Sequence, residues 1–308
     1  MSPLVSVIVP TYNRSYCIKK AIDSVLFQTF KDFELIIIDN YSDDNTEEII
    51  NSYKNKKIIY EKFHNYGIIA SSRNRGIALS NSKYVAFLDS DDWWKKDKLK
   101  VSIHFLEKGY DFICHGLEII RNNEFKKKHR EYTKYIKKLK KPFFQSLLKD
   151  GNTIETSSVV LKREIINSLG GFYESNKLSG SEDYDMWLRI SSVTDKFYVI
   201  KNNLGYLTYG EDNFSIDNKK IKDALPILIK RTQKLCIKKR FKPNYLYFLA
   251  SSTYLKRGEI KNFLRFSWLL FISSSRLSHK IKVILKIPIL FIQIIKRLYL
   301  FFNLNKKV

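Results

Sequence analysis

The feature that most limits the fold is the alternation of short apolar runs with amphipathic segments over the first 90 residues. The β-branched run Val5–Val9 is followed by apolar residues at positions i, i+3, i+4, i+7 and i+8 from Ile18, which is the spacing of one helix face. The continuous apolar run Phe33–Ile38 is typical of a strand buried on both faces of a parallel sheet. Further strands are predicted at Lys57–Phe63 and Tyr84–Leu88, with helical patterns between them. We therefore predict an α/β fold with a doubly wound, mostly parallel sheet.

Polar clusters follow three of these predicted strands, at Pro10–Asn13, Asp39–Asp44 and Asp89–Asp92. Parallel sheets bind ligands at the carboxyl ends of their strands, so the clusters predict a ligand site. Neighbouring carboxylates in such a cleft repel each other unless a cation neutralises them, and all-oxygen ligands suit Mg²⁺ or Mn²⁺ better than Zn²⁺. The alternative for Asp89–Asp92 is a solvated turn that caps the next helix. Its place directly after a buried strand favours the ligand site.

Three further motifs each allow two interpretations. Asp39 either accepts a hydrogen bond from a ligand base or forms an N-cap or Asx turn. Arg73 and Arg75 either hold a phosphate and pair with the acidic clusters, or form salt bridges on a surface helix. Asp183, with Glu182 beside it, is either a carboxylate general base at the edge of the cleft or an acidic residue stabilised by the helix macrodipole.

Composition and charge exclude several classes of protein. The 308 residues are 44% hydrophobic with 19 Tyr and 21 Phe, which is incompatible with a mainly disordered chain. Three widely separated Cys predict neither a disulfide framework nor a thiolate zinc cluster. The signatures of acyl hydrolases, P-loop NTPases and dinucleotide-dependent oxidoreductases are missing from the sequence. We expect neither a secretory signal nor a membrane-spanning helix.

Five segments in a fixed order resemble the family 2 glycosyltransferases. They are Val5–Asn13, Ile38–Asp44, Ser72–Ile77, Phe87–Asp92 and Ser181–Arg189. The resemblance covers about residues 3–215 and implies a glycosyltransferase A-type fold of the nucleotide-diphospho-sugar transferase type. It also implies a catalytic domain over 1–215, with a nucleotide-sugar half at about 1–97 and an acceptor half at about 98–215.

The resemblance further implies a role for individual residues. The nucleotide-sugar would be bound by Pro10, Thr11, Tyr12, Asp39, Arg73, Asp89 and Ser90. Asp39 would accept a hydrogen bond from uracil, Arg73 would lie near the base and pyrophosphate, and Asp89 would approach the ribose. Asp91 would hold Mn²⁺ or Mg²⁺, and Asp183 would be the catalytic base with Glu182 as a positioning neighbour.

The reaction implied by the resemblance is an inverting transfer from a UDP-sugar to a hydroxyl of a glycan or lipid-linked acceptor, in surface polysaccharide synthesis. One feature departs from the family. Many members carry Tyr-Arg-x-His and a following Ser in a loop that closes over the diphosphate, whereas this chain has Tyr206–Tyr209 without the Arg or His, and Ser215 after it.

Two alternative functions remain at this point: a nucleotidyltransferase that makes activated sugars, and a nucleic-acid-binding protein that uses the basic tail. The first class usually has an early Gly-rich phosphate loop, and Pro10–Ser15 contains no Gly. The usual nucleic-acid-binding signatures are missing too, so we predict no nucleic-acid partner.

The charge is concentrated at the end of the chain. Of the net charge of +24, +19 falls in residues 216–308, so we predict a domain boundary after Ser215 and a basic α-helical region beyond it. We predict a helical hairpin over Asn244–Ser275 and a further helix over Lys280–Phe302, whose cations share one face. That layout suits a helix lying on an anionic membrane surface, which predicts a cytoplasmic protein that is peripheral on the inner face of the plasma membrane. The alternative is an amphipathic helix packed on the catalytic domain.

Overall fold

The structure is a computed structural model that describes residues 2–121, 139–209, 218–239, 241–257 and 259–273. The chain divides into two compact units, Met1–Ala224 and Leu225–Val308. The predicted boundary after Ser215 precedes this division. The predicted helix Lys280–Phe302 lies outside the described residues, as does Ser215.

The described part of the first unit contains an eight-stranded sheet. Its strands are β1 (Val5–Thr11), β2 (Phe33–Asp39), β3 (Ile58–Lys62), β4 (Tyr84–Phe87), β5 (Trp93–Trp94), β6 (Phe112–Arg121), β7 (Val160–Lys162) and β8 (Phe197–Tyr209). The helices are α1 (Ile18–Leu26), α2 (Thr46–Ser52), α3 (Ile69–Leu79), α4 (Lys98–Glu107), α5 (Phe143–Asp150), α6 (Arg163–Ser168) and α7 (Glu182–Val193), with short 3₁₀ turns at Thr156–Ser158 and Asn176–Leu178.

The strand order is β3-β2-β1-β4-β7-β6-β8-β5. The first four strands are parallel, and β6 is parallel to β8. The short β7 runs antiparallel between β4 and β6, and β5 runs antiparallel to β8 at the sheet edge. The prediction of a doubly wound, mostly parallel sheet is confirmed.

The packing of α1 and α3 on β1 follows from small and apolar side chains. Helix α1 buries Ile18, Ala21, Ile22 and Val25, the face that the sequence predicts. Helix α3 approaches β1 so closely at Gly76 that a Cβ there would lie 2.5 Å from Cγ2 of Ile8. This close approach brings the polar residues of α3 toward the carboxyl edge of the sheet.

The sequence prediction is incomplete beyond Asp97. Helices α4 and α5 and strands β5 and β8 are not predicted. Strand β8 has no continuous apolar run because the exposed Lys201 and Asn202 interrupt it. The strand predicted over Thr156–Leu161 is shorter than expected, since the Ser158 hydroxyl donates to the Glu155 carbonyl at 2.6 Å and the chain forms a 3₁₀ turn there.

The described helices toward the end of the chain are α8 (Asn218–Lys239), α9 (Asn244–Arg257) and α10 (Ile260–Ser273). The last two correspond to the predicted hairpin, and the hydroxyls of Ser251 and Ser267 lie 2.8 Å apart between them. Among the described residues, no helix is long and apolar enough to span a bilayer.

Candidate active site

A cleft opens at the carboxyl ends of β1 and β4, where most of the predicted site residues meet. Six carboxyl side chains line it: Asp89, Asp91, Asp92, Glu155, Glu182 and Asp183. Two guanidinium groups, Arg14 and Arg73, line it as well. Because carboxyl groups outnumber cations, the cleft suits ligands that bring a divalent cation or donate hydrogen bonds.

The guanidinium of Arg73 joins two of these carboxylates. Its Nη2 donates to Oδ1 of Asp89 at 2.8 Å, and its Nη1 donates to Oε1 of Glu182 at 2.7 Å. The Arg73 side chain is only 3% exposed, and Glu182 also accepts a hydrogen bond from the backbone N–H of Gly180 at 2.7 Å. Burial lowers the pKa of Arg73, but the two carboxylates outweigh it and raise the pKa above its ordinary value. Arg73 therefore ties the end of β4 to the start of α7, and its predicted contact with the base and pyrophosphate remains a prediction.

Asp92 connects the end of β4 to two other elements. Its Oδ2 accepts a hydrogen bond from the Ser157 hydroxyl at 2.5 Å, and its Oδ1 accepts one from the backbone N–H of Thr208 at 2.9 Å. Burial and the neighbouring charges of Asp91 and Asp89 raise the pKa of Asp92 well above its ordinary value. Asp92 thus fixes the walls of the cleft, a role that the sequence does not indicate.

Asp183 is the second residue of α7 and is held by two hydrogen bonds. Its Oδ2 accepts from the side-chain amide of Asn152 at 2.9 Å, and its Oδ1 accepts from the backbone N–H of Tyr184 at 2.6 Å. Burial and the charge of Glu182 raise the pKa of Asp183 to about 7, although Arg73 acts in the opposite direction. A carboxylate whose pKa lies near neutrality suits the predicted role of general base.

Asp91 lies in the cleft between Asp89 and Asp92. Burial and the charge of Asp89 raise its pKa to about 6, and Arg14 opposes this shift. Among the described residues, no group of three or more His, Cys, Asp or Glu side chains is arranged to hold a metal ion. Mg²⁺ commonly binds one or two carboxylates and completes its shell with substrate phosphates and water. The carboxylate of Asp91 therefore fits a cation that arrives with a diphosphate.

Only some of the residues predicted to contact the nucleotide line the cleft. Pro10 and Ser90 line the cleft, whereas Thr11 is buried and Tyr12 is half exposed outside the cleft lining. Asp39 is fully buried and accepts hydrogen bonds from the hydroxyls of Ser42 at 2.6 Å and Tyr60 at 2.8 Å.

The backbone N–H of Ser42 also donates to Asp39, at 3.1 Å. This is the local turn that the sequence leaves open as the alternative interpretation of Asp39. A contact between Asp39 and uracil remains a prediction.

The segment corresponding to the diphosphate-covering loop is described as far as Tyr209. Leu207 and Thr208 line the cleft, and the Thr208 hydroxyl donates to the backbone carbonyl of Asp91 at 2.6 Å. Tyr206 stacks on Trp93 with ring centroids 5.1 Å apart. The Thr208 contact attaches β8 to the Asp89–Asp92 segment, and the Tyr206 stacking attaches β8 to β5.

Several residues of the cleft are absent from the sequence-based prediction. Arg14 belongs to a segment without helical or strand periodicity, so no pattern placed it at the site. Asn152 and Glu155 belong to the segment 151–156, which we expect from the sequence to shape the donor pocket, without a role for either residue. For Asp92, the sequence indicates a place near the site, because Asp92 directly follows the predicted metal ligand Asp91.

A doubly wound sheet with acidic residues after β4, and a second carboxylate at the start of a helix facing them, is typical of α/β enzymes that bind a ligand at the carboxyl edge of the sheet. The comparisons with known proteins make the class specific. The sequence model of Glycosyl transferase family 2 matches residues 6–170, which is more than half of the chain. The chain belongs to this family, as predicted, and it is a glycosyltransferase rather than a nucleotidyltransferase.

Relatives with established names are also glycosyltransferases. The chain is 33% identical over 189 residues to Escherichia coli WfaP, a UDP-Glc:α-D-GlcNAc-diphosphoundecaprenol β-1,3-glucosyltransferase, covering 61% of this chain and 70% of WfaP. It is 30% identical over 218 residues to Escherichia coli WfgD, which carries the same activity in its name, covering 68% of this chain and 81% of WfgD. An uncharacterised glycosyltransferase of Rickettsia felis is 34% identical over 65% of this chain, but the match spans only 31% of that protein.

Solved structures agree with the fold. The structure of S. aureus TarS residues 1–349 in complex with UDP superposes with a TM-score of 0.61 at 18% identity, covering 91% of this chain and 77% of that chain. The complex of the same fragment with UDP-GlcNAc gives a TM-score of 0.62 at 17% identity, covering 95% and 79%. At such identities the similarity establishes the fold alone.

The Arg73 bridge generates a stability prediction. Arg73→Gln leaves two carboxylates of the cleft without their cation, and we expect it to lower the free energy of unfolding by about 3 kcal/mol or more. Arg75→Gln is the matched control, because Arg75 pairs with Glu61 at a half-exposed site on the same helix and should cost about 1 kcal/mol or less. Denaturant unfolding of both variants measures the difference, and equal costs would contradict a structural role for the bridge.

Proposed function

We propose that this glycosyltransferase moves a sugar from a UDP-sugar to a hydroxyl of a glycan or lipid-linked acceptor, with inversion, in surface polysaccharide synthesis. The observation that carries the proposal is that Asp91 and Asp183 line the same cleft, on segments fixed by Arg73 and Asp92. The names of WfaP and WfgD, which specify UDP-Glc and a diphosphoundecaprenol-linked acceptor, support the donor and acceptor classes.

In the proposed reaction, the donor diphosphate is bound at one end of the cleft and the acceptor hydroxyl at the other. At the β4 end, Asp91 would hold Mg²⁺ or Mn²⁺, which would stabilise the negative charge on the departing UDP. At the α7 end, Asp183 takes the proton from the acceptor hydroxyl. The hydrogen bond from Asn152 keeps the Asp183 carboxylate oriented, and Glu182 and Arg73 anchor the first turn of α7.

The chemistry is a single displacement. The acceptor oxygen forms a bond to the anomeric carbon of the donor while the bond between that carbon and the diphosphate oxygen breaks. The acceptor proton passes to Asp183, and UDP leaves with the electron pair of the broken bond. Attack opposite the leaving group inverts the anomeric centre, so an α-linked UDP-sugar yields a β-linked product.

A donor screen tests the proposed function. The protein is incubated with a set of UDP-sugars and Mn²⁺ or Mg²⁺, with and without diphospholipid-linked sugar acceptors, and released UDP is measured. We expect metal-dependent UDP release with at least one donor. Asp91→Asn should reduce it by a factor on the order of 10³, because the variant keeps the size of the side chain and removes the charge that binds the cation.

The matched control for this variant is Asp32→Asn, because Asp32 is exposed and lies outside the residues that line the cleft. It should release UDP at the rate of the parent protein. Full activity of Asp91→Asn would overturn the assignment of the metal ligand. Absence of UDP release from every donor and acceptor tried would overturn the proposed function.

The raised pKa of Asp183 gives a pH dependence. A general base must be ionised, so kcat/KM should rise about tenfold per pH unit below pH 7 and level off above it. Asp183→Asn should transfer no sugar at any pH while UDP still inhibits or binds as in the parent protein, because Asp183 contacts the acceptor. A profile that stays flat from about pH 5.5 to about pH 8.5 would contradict the base assignment.

The membrane partner is also a proposal. Besides the charge of +19 in residues 216–308, helix α10 exposes Leu264, Trp268 and Ile272 at i, i+4 and i+8, with the exposed cations Lys261 and Arg265 on the same side. Apolar side chains flanked by cations are typical of helices that lie in the headgroup region of anionic lipid. We propose that residues 216–308 hold the enzyme on the inner face of the plasma membrane, near a lipid-linked acceptor.

Vesicle sedimentation tests the membrane proposal. The full chain should sediment with phosphatidylglycerol-containing vesicles at low salt and less so at high salt, and the double variant Leu264→Ser/Trp268→Ser should sediment less than the parent. Val193→Ser, an equally exposed apolar position on α7, is the control and should change nothing. Failure of the full chain to bind anionic vesicles at low salt would contradict the proposal.

A further inference from the structure

Glu155 is a carboxyl group of the cleft to which the proposed reaction gives no task. We propose that the Glu155 carboxylate accepts a hydrogen bond from a hydroxyl of the transferred sugar and so selects among UDP-sugar donors. This inference rests on the proposed function and adds a specificity-determining residue to it.

The backbone around Glu155 is held in place on both sides. Its carbonyl accepts hydrogen bonds from the backbone N–H of Ser158 at 2.9 Å and from the Ser158 hydroxyl at 2.6 Å. Before it, the backbone N–H of Ile154 donates to the Asn152 side chain at 3.2 Å, and the same Asn152 donates to Asp183. After it, Ser157 is bonded to Asp92. The segment therefore presents the Glu155 side chain from a fixed wall, as selective recognition requires.

Most other carboxylates of the cleft already have protein partners. Asp89 and Glu182 accept from Arg73, Asp92 accepts from the Ser157 hydroxyl and from a backbone N–H, and Asp183 accepts from Asn152. For Glu155, the described residues provide neither a side-chain hydrogen bond nor an ion pair, although the side chain lines the cleft and is partly exposed. Its hydrogen-bonding capacity is thus available to a ligand.

The position of Glu155 indicates which part of the ligand it meets. Glu155 belongs to a short segment that contacts both ends of the cleft, since Asn152 donates to Asp183 at the base end and the Ser157 hydroxyl donates to Asp92 at the β4 end. In the proposed reaction the diphosphate is bound at the β4 end and the acceptor hydroxyl at Asp183. The group between these two ends is the transferred sugar.

The Glu155 carboxylate and a sugar hydroxyl are complementary as hydrogen-bond acceptor and donor. A carboxylate is a strong acceptor, and sugar hydroxyls are the donors that a UDP-hexose presents between its diphosphate and the attacking acceptor. Burial, Asp183 and Asp89 raise the pKa of Glu155 to about 7, so a hydroxyl donor also stabilises the ionised form inside an acidic cleft. A site that hydrogen-bonds a substrate hydroxyl discriminates strongly against analogues that lack it.

The experiment compares donors and variants in one kinetic cycle. The best UDP-sugar from the screen and its monodeoxy analogues are used with the parent protein, Glu155→Gln, Glu155→Asp and the control Glu164→Gln, whose residue is exposed in α6. We expect Glu155→Gln to lower kcat/KM for the full donor by about 10- to 100-fold, the size of a lost charge-assisted hydrogen bond. Inhibition by UDP should not change, and Glu164→Gln should behave as the parent protein.

One deoxy analogue should identify the hydroxyl. With the analogue that lacks this hydroxyl, kcat/KM of the parent protein should fall by a similar factor. Glu155→Gln should lower kcat/KM for this analogue little further, since the hydrogen bond to the hydroxyl is already absent. Glu155→Asp keeps the charge and should recover part of the discrimination among donors. UDP inhibition also verifies that each variant is folded.

Three results would overturn the inference. They are an equal loss for the full donor and for all deoxy analogues, unchanged kinetics in Glu155→Gln, and a change in UDP or metal affinity, which would place Glu155 at the diphosphate instead. These outcomes differ from failure of the proposed function, in which the parent protein itself releases no UDP from any donor.

Discussion

The cleft depends on the two hydrogen-bonded ion pairs of Arg73. This guanidinium comes from α3 and reaches Asp89 at the end of β4 and Glu182 at the start of α7, two segments that are more than 90 residues apart in sequence. A buried cation between two carboxylates is favourable only when the geometry satisfies the charges, and here both contacts are shorter than 3 Å. The bridge therefore sets the spacing between the carboxylates of the β4 end and the carboxylate proposed as base.

The rest of the site follows from how the fold manages many acidic groups in one place. Asp92 is held by Ser157 and Thr208, and Asp183 is held by Asn152. Burial and like charges nevertheless raise the pKa values of Asp91, Asp183 and Glu155 to about 6 or 7. A cation at Asp91, an acceptor hydroxyl at Asp183 and a sugar hydroxyl at Glu155 would each stabilise the ionised form of one carboxylate. Ligand binding would therefore reduce the repulsion between the carboxylates of the cleft.

The sequence predicted the first half of the fold well because parallel, doubly buried strands produce continuous apolar runs, as in Phe33–Ile38. It located the acidic residues after β4 and the carboxylates of α7 because these adjoin strongly patterned elements. It did not predict β8, whose polar interruption conceals its extent. It indicated the segment 151–156 as part of the donor pocket but no role for Glu155, which precedes a 3₁₀ turn set by local hydrogen bonds. Arg73 was recognised as a candidate, but its two partners could not be chosen, because contacts between segments so far apart in sequence depend on the tertiary packing of α3 on β1.

The central claim is that Asp183 acts as a single carboxylate base for one displacement at the anomeric carbon of the donor. Its most direct test is the anomeric configuration of the product, measured by the ¹H coupling constant of the anomeric proton after transfer from an α-linked UDP-hexose. The account predicts a β-linked product. An α-linked product would contradict it, because retention requires a second displacement or a different face of attack.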